Sequence, residues 1–210
     1  MKTSVKHTII PLVLLILFLA CSAGIQKSKE IQKILEEKDS ASADIPVNYA
    51  IPLPNLLDSL GINTDQLSVL IDKSDYRLRL MKDTTIIKGY PVVFGGNPVD
   101  DKRMEGDQCT PEGEFRIVSK YPHRSWSKFI WINYPTDVSR ERHNAARTSG
   151  EIPANARIGG QIGIHGVPEG TDFLIDDKTN WTLGCISLKN KDINEIYDYF
   201  TDSTLIRIIP

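Results

Sequence analysis

No segment of the 210 residues matches G-x-x-x-x-G-K-[ST] or G-x-G-x-x-G, so no nucleotide cofactor is expected. An excess of one charge is also missing. Lys and Arg number 25 and Asp and Glu 27, and the net charge of −2 argues against nucleic acid as a partner. Repeats with a period of about 20–50 residues are absent. The apolar run over residues 9–20 is too short to span a bilayer comfortably. His123 and His143 sit in polar, Arg-rich sequence without His, Cys, Asp or Glu neighbours at metal-ligand spacing; both read as surface residues, and no metal is expected. Cysteine is scarce, at positions 21, 109 and 185, and each needs its own explanation.

Lys2, Lys6 and His7 precede the apolar run, which ends at Ala20-Cys21-Ser22. This predicts a lipoprotein-type signal peptide over residues 1–21, with Cys21 carrying the lipid. Phe18 stands where Leu or Val is commoner, so an ordinary secretion signal or a short uncleaved anchor is the alternative. Residues 22–64 read as a tether and domain edge. Ile31, Ile34 and Leu35 fall at helical spacing, Ser40-Ala41-Ser42-Ala43 breaks the pattern, Pro46, Pro52 and Pro54 mark a transition, and residues 55–60 suggest a short helix.

The chemistry concentrates further on. Gln161-Ile162-Gly163-Ile164-His165-Gly166 reads as an apolar strand ending in a His, and Trp181-Thr182-Leu183-Gly184-Cys185-Ile186-Ser187-Leu188 as a tight turn entering a second strand. A free thiol, with pKa ~8.5, is mostly protonated at neutral pH, and a nearby imidazole can take its proton to give a thiolate–imidazolium pair. His165 is the candidate base and Cys185 the candidate nucleophile. Gly166 lets backbone approach the ring, and its carbonyl is placed to accept Nδ1–H and fix the tautomer. Gly184 permits the turn, and the N–H groups of Gly184 and Cys185 are candidate oxyanion donors. A buried small hydrophobe beside a hydrogen-bonded core His is the alternative on spacing alone.

These residues resemble the YkuD-type L,D-transpeptidase catalytic domain, whose signature is a His, a spacer of this order, then Ser/Thr-x-Gly-Cys. Ile71-Asp72-Lys73-Ser74, Tyr90-Pro91-Val92-Val93-Phe94-Gly95-Gly96-Asn97, Gly106-Asp107-Gln108-Cys109-Thr110-Pro111-Glu112-Gly113 and Ile164-His165-Gly166 follow in the family's order. The Trp-Thr-x-Gly-Cys-Ile-x-Leu form is similar to the subgroup that includes envelope proteins like YafK. Leu183 stands where many members carry a second His, and Ser187 where many carry Arg or Asn.

The resemblance implies a mainly β, sandwich-like catalytic domain over residues 65–210. It also implies acyl transfer on peptidoglycan stem peptides through a Cys185 acyl-enzyme. The acceptor would be a stem-peptide amine or the amine of an envelope protein; with water as acceptor the enzyme is a carboxypeptidase or amidase. A non-catalytic peptidoglycan-binding lipoprotein is the distant alternative. The expected location is the periplasmic side of the envelope, on a membrane through the N-terminal lipid.

Strands are expected over residues 67–72, 76–81, 85–94, 115–119, 129–133, 158–165, 185–188 and 205–209. A helix with an Ile193, Ile196, Tyr197 and Phe200 stripe is expected after Asn190 as its cap. Residues 106–113 read as a hairpin connection with Glu112 in solvent, with direct substrate contact as the alternative. Arg140 and Arg147, with Arg142, form a basic cluster in a loop that reads either as solvated or as a carboxylate-binding overhang of the groove. Thr182 and Trp181 complete the candidate substrate contacts, Trp181 also reading as a packing residue for the Cys turn. Cys109 reads as an inert thiol or as a disulfide partner of Cys185.

Overall fold

The computed structural model describes residues 45–210 together with Lys29; the expected signal peptide, Cys21 and most of the expected tether lie outside the described residues. Pro46–Pro210 make one compact unit. Alternation dictates its first strands. β1 (Leu67–Asp72) buries Leu67, Val69 and Ile71 and half-exposes the residues between them, as a strand with one face on a core must. β2 (Arg77–Lys82) buries Leu78 and Leu80, and a two-residue turn at Asp83 and Thr84 leads to β3 (Thr85–Pro91). Asp83 takes φ 53°, the left-handed conformation that tight hairpins use and Asp tolerates.

β4 (Gly113–Phe115) and β9 (Ile206–Ile209) complete a five-stranded sheet in the order β3-β2-β1-β9-β4, with β1 and β9 parallel. The second sheet runs in chain order: β5 (Ile117–His123), β6 (Ser127–Ile132), β7 (Gly163–His165) and β8 (Ile186–Ser187). Only its last pair, β7 and β8, is parallel. Val69, Ile71, Leu78, Leu80 and Ile206 of the first sheet share one core with Ile130, Ile132, Ile164 and Ile186 of the second. Full burial of each such side chain is worth about 1.5–3 kcal/mol. The fold is mainly β, as expected, with mixed sheets and a few short helices.

The helices depart more from expectation. α1 (Leu53–Leu60) starts directly after Pro52 and ends on Gly61 at φ 61°. α2 (Asp137–Ser149) occupies the segment expected as a polar loop. It buries only His143 and Ala146, so no apolar stripe marks it; its signals are Thr136, whose Oγ1 accepts the Ser139 N–H, and the left-handed Gly150. His143 is therefore not a surface residue: it is buried, with Nδ1–H donating to the Arg103 carbonyl at 2.6 Å. After the single turn of α3 (Phe173–Asp176), α4 (Asn190–Ile196) packs Ile193 and Ile196 into the core. Lys189 is its cap and Asn190 its first helical residue, whose N–H donates to Asp172 Oδ1 at 3.1 Å. The expected strand over residues 158–165 pairs only from Gly163, because Gln161 turns to φ 59°.

Ahead of β1, residues 46–53 are fastened to the sheet and to α4. Gly89 N–H donates to the Val47 carbonyl at 2.8 Å, Leu53 N–H to Glu195 Oε1 at 2.8 Å, and Tyr49 Oη to Asp192 Oδ2 at 2.9 Å. Lys88, 1 % exposed, pairs with Glu195 and donates to the Ile51 carbonyl. Burial pushes the Asp192 carboxyl up to about 6, and the Tyr49 hydrogen bond opposes the shift.

Candidate active site

β7 ends on His165, and Cys185 lies one residue ahead of β8. The parallel register sets Ile164 opposite Ile186 and His165 opposite Ser187. Because side chains alternate along a strand, His165 and Cys185 fall on one face of the sheet as diagonal neighbours. His165 is 1 % exposed and its Nδ1–H donates to the Gly166 carbonyl at 2.6 Å, the bond expected from the sequence. That bond fixes the tautomer and leaves Nε2 as the acceptor. Ser187 Oγ donates to the same carbonyl at 3.3 Å.

Gly166 is required by crowding: a Cβ there would run into Asn190 Oδ1 and stand 2.7 Å from the Trp126 carbonyl. Trp126 also covers the ring. Its indole stacks on the His165 imidazole at 4.4 Å between centroids and 22° between planes, while Phe129 lies at 5.7 Å and 10°. Trp181 meets His165 edge-on at 5.5 Å and 77°, with its buried Nε1–H lacking an acceptor among the described residues.

The turn carrying the thiol is held from inside. Thr182 is buried; its Oγ1–H donates to the Cys185 carbonyl at 2.7 Å and its Oγ1 accepts the Gly184 N–H at 3.1 Å. Thr182 N–H donates to the Phe94 carbonyl, and Gly96 N–H to the Thr182 carbonyl, which ties the turn to the segment after β3. Thr182 thus supports the turn, and the Gly184 N–H, expected as an oxyanion donor, is already engaged. Gly184 sits at φ 135°, with the Cys109 carbonyl 2.6 Å from where a Cβ would be, so no other residue fits without moving backbone.

Burial decides the resting protonation. It pushes the Cys185 thiol up to about 11, against the opposing influence of the Gly163 N–H and the Lys102 charge, and Sγ donates to the Gln161 carbonyl at 3.6 Å. It pulls His165 down to about 4, with the Gly166 bond acting in the other direction and His123 adding slightly to the fall. Both shifts favour the neutral forms at rest, a thiol and an imidazole.

A profile of the YkuD L,D-transpeptidase catalytic domain matches residues 66–208. The chain belongs to this family. Among solved structures, the helical cell shape determining protein Pgp2 of Campylobacter jejuni is 22% identical, with a TM-score of 0.50 over 74% of this chain and 54% of that one. Bd1075 of Bdellovibrio bacteriovorus is 20% identical (TM-score 0.49; 69% and 48% covered). An L,D-transpeptidase of Mycobacterium smegmatis is 13% identical (TM-score 0.45; 69% and 59% covered). The chain spans about half the length of these proteins. No curated protein matches it in sequence.

The remaining candidates of this L,D-transpeptidase domain lie on α2 and in the segment ahead of β4. Arg140 and Arg147 lie exposed on α2, in keeping with the solvated reading, and Arg147 borders a cavity with Asn144, Thr148 and Ala154. Arg142 is tied to Asp101 at 2.9 Å and to the Glu112 carbonyl at 3.0 Å. Glu112 is not in solvent but accepts from the buried Lys73 Nζ at 2.6 Å. Cys109 is buried beside a cavity of ≈ 310 Å³; its thiol and that of Cys185 are both free, and its Sγ donates to the Asp107 carbonyl at 3.4 Å. Leu183, at the tip of the turn, is 75 % exposed. Sequence reasoning missed Trp126, Phe129 and the supporting role of Ser187; only the departure of Ser187 from the family pattern pointed to that position.

Proposed function

We propose that this domain is a cysteine acyltransferase of the L,D-transpeptidase type, acting on peptidoglycan stem peptides. The observation that carries the reading is His165 Nδ1–H fixed on the Gly166 carbonyl, with Nε2 left as an acceptor on the sheet face shared with Cys185. Cys185 Sγ attacks the carbonyl at the L-centre of diaminopimelate in a tetrapeptide stem, and its proton passes to His165 Nε2 as the C–S bond forms. Because both groups rest neutral, this transfer belongs to the attack itself and not to a preformed ion pair.

The negative oxygen of the tetrahedral intermediate is served by the Cys185 N–H, the member of the expected donor pair that Thr182 does not engage. The C–N bond to the terminal D-Ala then breaks, and His165 returns the proton to the leaving amine. An acyl-enzyme remains. An incoming amine of a second stem or of an envelope protein is deprotonated by His165, attacks the thioester and releases Cys185. The sequence also supports a lipidated Cys21 that holds the domain on the periplasmic side of the envelope.

Incubation of the purified protein with defined tetrapeptide muropeptides, followed by mass spectrometry of the products, tests the reading. A cross-linked dimer with D-Ala released is the expected product. A stem shortened by D-Ala without cross-linking makes the protein a hydrolase, and unchanged muropeptides in every mixture contradict the proposal.

A further inference from the structure

The tip of the β5–β6 hairpin grips the His165–Gly166 pair twice. Its Trp126 carbonyl accepts the Gly166 N–H at 3.0 Å while the Trp126 ring stacks on the imidazole. On Trp126 in turn stacks His123, at 4.3 Å and 13°. His123 is itself pinned, because its Nδ1 accepts two backbone N–H groups, those of Ser125 and Trp126, each at 3.2 Å. The three rings form a column from the half-exposed hairpin tip to the buried base.

We propose that Trp126 is a positioning residue for His165 and that His123 is the prop holding Trp126 in place. The inference rests on the reading of His165 as the base. During attack the imidazole becomes an imidazolium in a buried site with no carboxylate bonded to it; the described partner of Nδ1 is a neutral carbonyl. The indole face lies where the ring charge appears, and aromatic faces attract cations, most strongly when desolvated. Stacking also fixes the plane in which Nε2 meets the thiol proton, and small misplacements of a catalytic group carry large rate penalties.

The test uses p-nitrophenyl acetate, an acyl donor with no stem-peptide feature, so that failure of the peptidoglycan reading and failure of this inference are separable. Acetylation of Cys185 forms its C–S bond, passes the thiol proton through His165 and expels p-nitrophenolate, whose burst gives the acylation rate. Trp126→Leu is expected to slow acylation about tenfold, and His123→Asn, which keeps an acceptor for the two N–H groups but loses the stack, about threefold. In a His165→Ala background neither change has a further effect, since an element acting through His165 has nothing left to position. If Trp126→Leu does not fold, Trp126→Phe and His123→Asn give the same comparison. Unchanged acylation rates in the single variants, or equal losses with and without His165, overturn the inference.

Discussion

His165 Nδ1 stands 2.6 Å from the carbonyl oxygen of Gly166, the next residue in the chain. No carboxylate takes that place, so the Nδ1 tautomer is fixed by backbone, and that backbone acceptor cannot be lost by point substitution. The neighbours can be: Ser187 Oγ steadies the same oxygen, and Trp126 holds the Gly166 N–H.

The neutral resting pair fixes the pH dependence. With His165 near 4, the acid limb of kcat/KM is expected near pH 4, below the ordinary imidazole range near 6.5, and the rate should be level from about pH 6 to 8. His165→Ala should lower the rate by about 10²–10⁴ at neutral pH. Its remaining rate should climb about tenfold per pH unit, following the thiolate fraction of a thiol near 11. A pH–rate series on both proteins checks this; an unaltered profile in His165→Ala removes His165 from the mechanism.

Thr182 supports the turn through two bonds that valine does not make. Thr182→Val should cost about 1–3 kcal/mol, because the Gly184 N–H and the Cys185 carbonyl lose their partner in a buried site. Thr182→Ser should restore most of it. Denaturant midpoints give the stability, and the acylation burst should fall in parallel.

Asp192 gives a stability prediction with a definite sign. Its folded pKa, about 6, lies above the ordinary carboxyl value of 3.8, so the folded state holds a proton that the unfolded state has lost between those values. The group's contribution is fully present below about pH 4 and is lost as pH rises through 6, by up to about 3 kcal/mol. Asp192→Asn keeps an acceptor for Tyr49 and removes the titration. The difference in stability between wild type and this variant should therefore shift in the variant's favour from pH 4 to pH 7; a constant difference would show that the carboxyl is not desolvated.

Cys21→Ser should release the protein from membranes and leave the mature mass without lipid. Intact-mass analysis of the wild-type chain is expected to give a lipidated N-terminal Cys21, and an unlipidated N-terminus elsewhere would reject the anchor.

The sheet was legible because its strands alternate: Leu67, Val69 and Ile71 mark β1 to the residue. The Cys185 turn and His165 stood out in the sequence because Cys and His are few and their spacing carries chemistry. α2 was hidden because it buries two residues and its caps, Thr136 and Gly150, are single-residue signals within a charged segment. The Trp126 stack was hidden for another reason. It depends on the β5–β6 register, which brings the hairpin tip over β7, and no local pattern encodes a contact across 39 residues of chain. The bracing of the turn by Thr182 was hidden too, because which groups a hydroxyl meets depends on how the turn folds back on it.

The central claim is that Cys185 carries the acyl group. Intact-protein and peptide mass spectrometry after brief exposure to a tetrapeptide stem tests it most directly. The account predicts release of D-Ala with a tripeptidyl adduct on the Cys185 peptide, and neither in Cys185→Ala. Release of D-Ala by Cys185→Ala at the wild-type rate, or an adduct mapped to another residue, would contradict it.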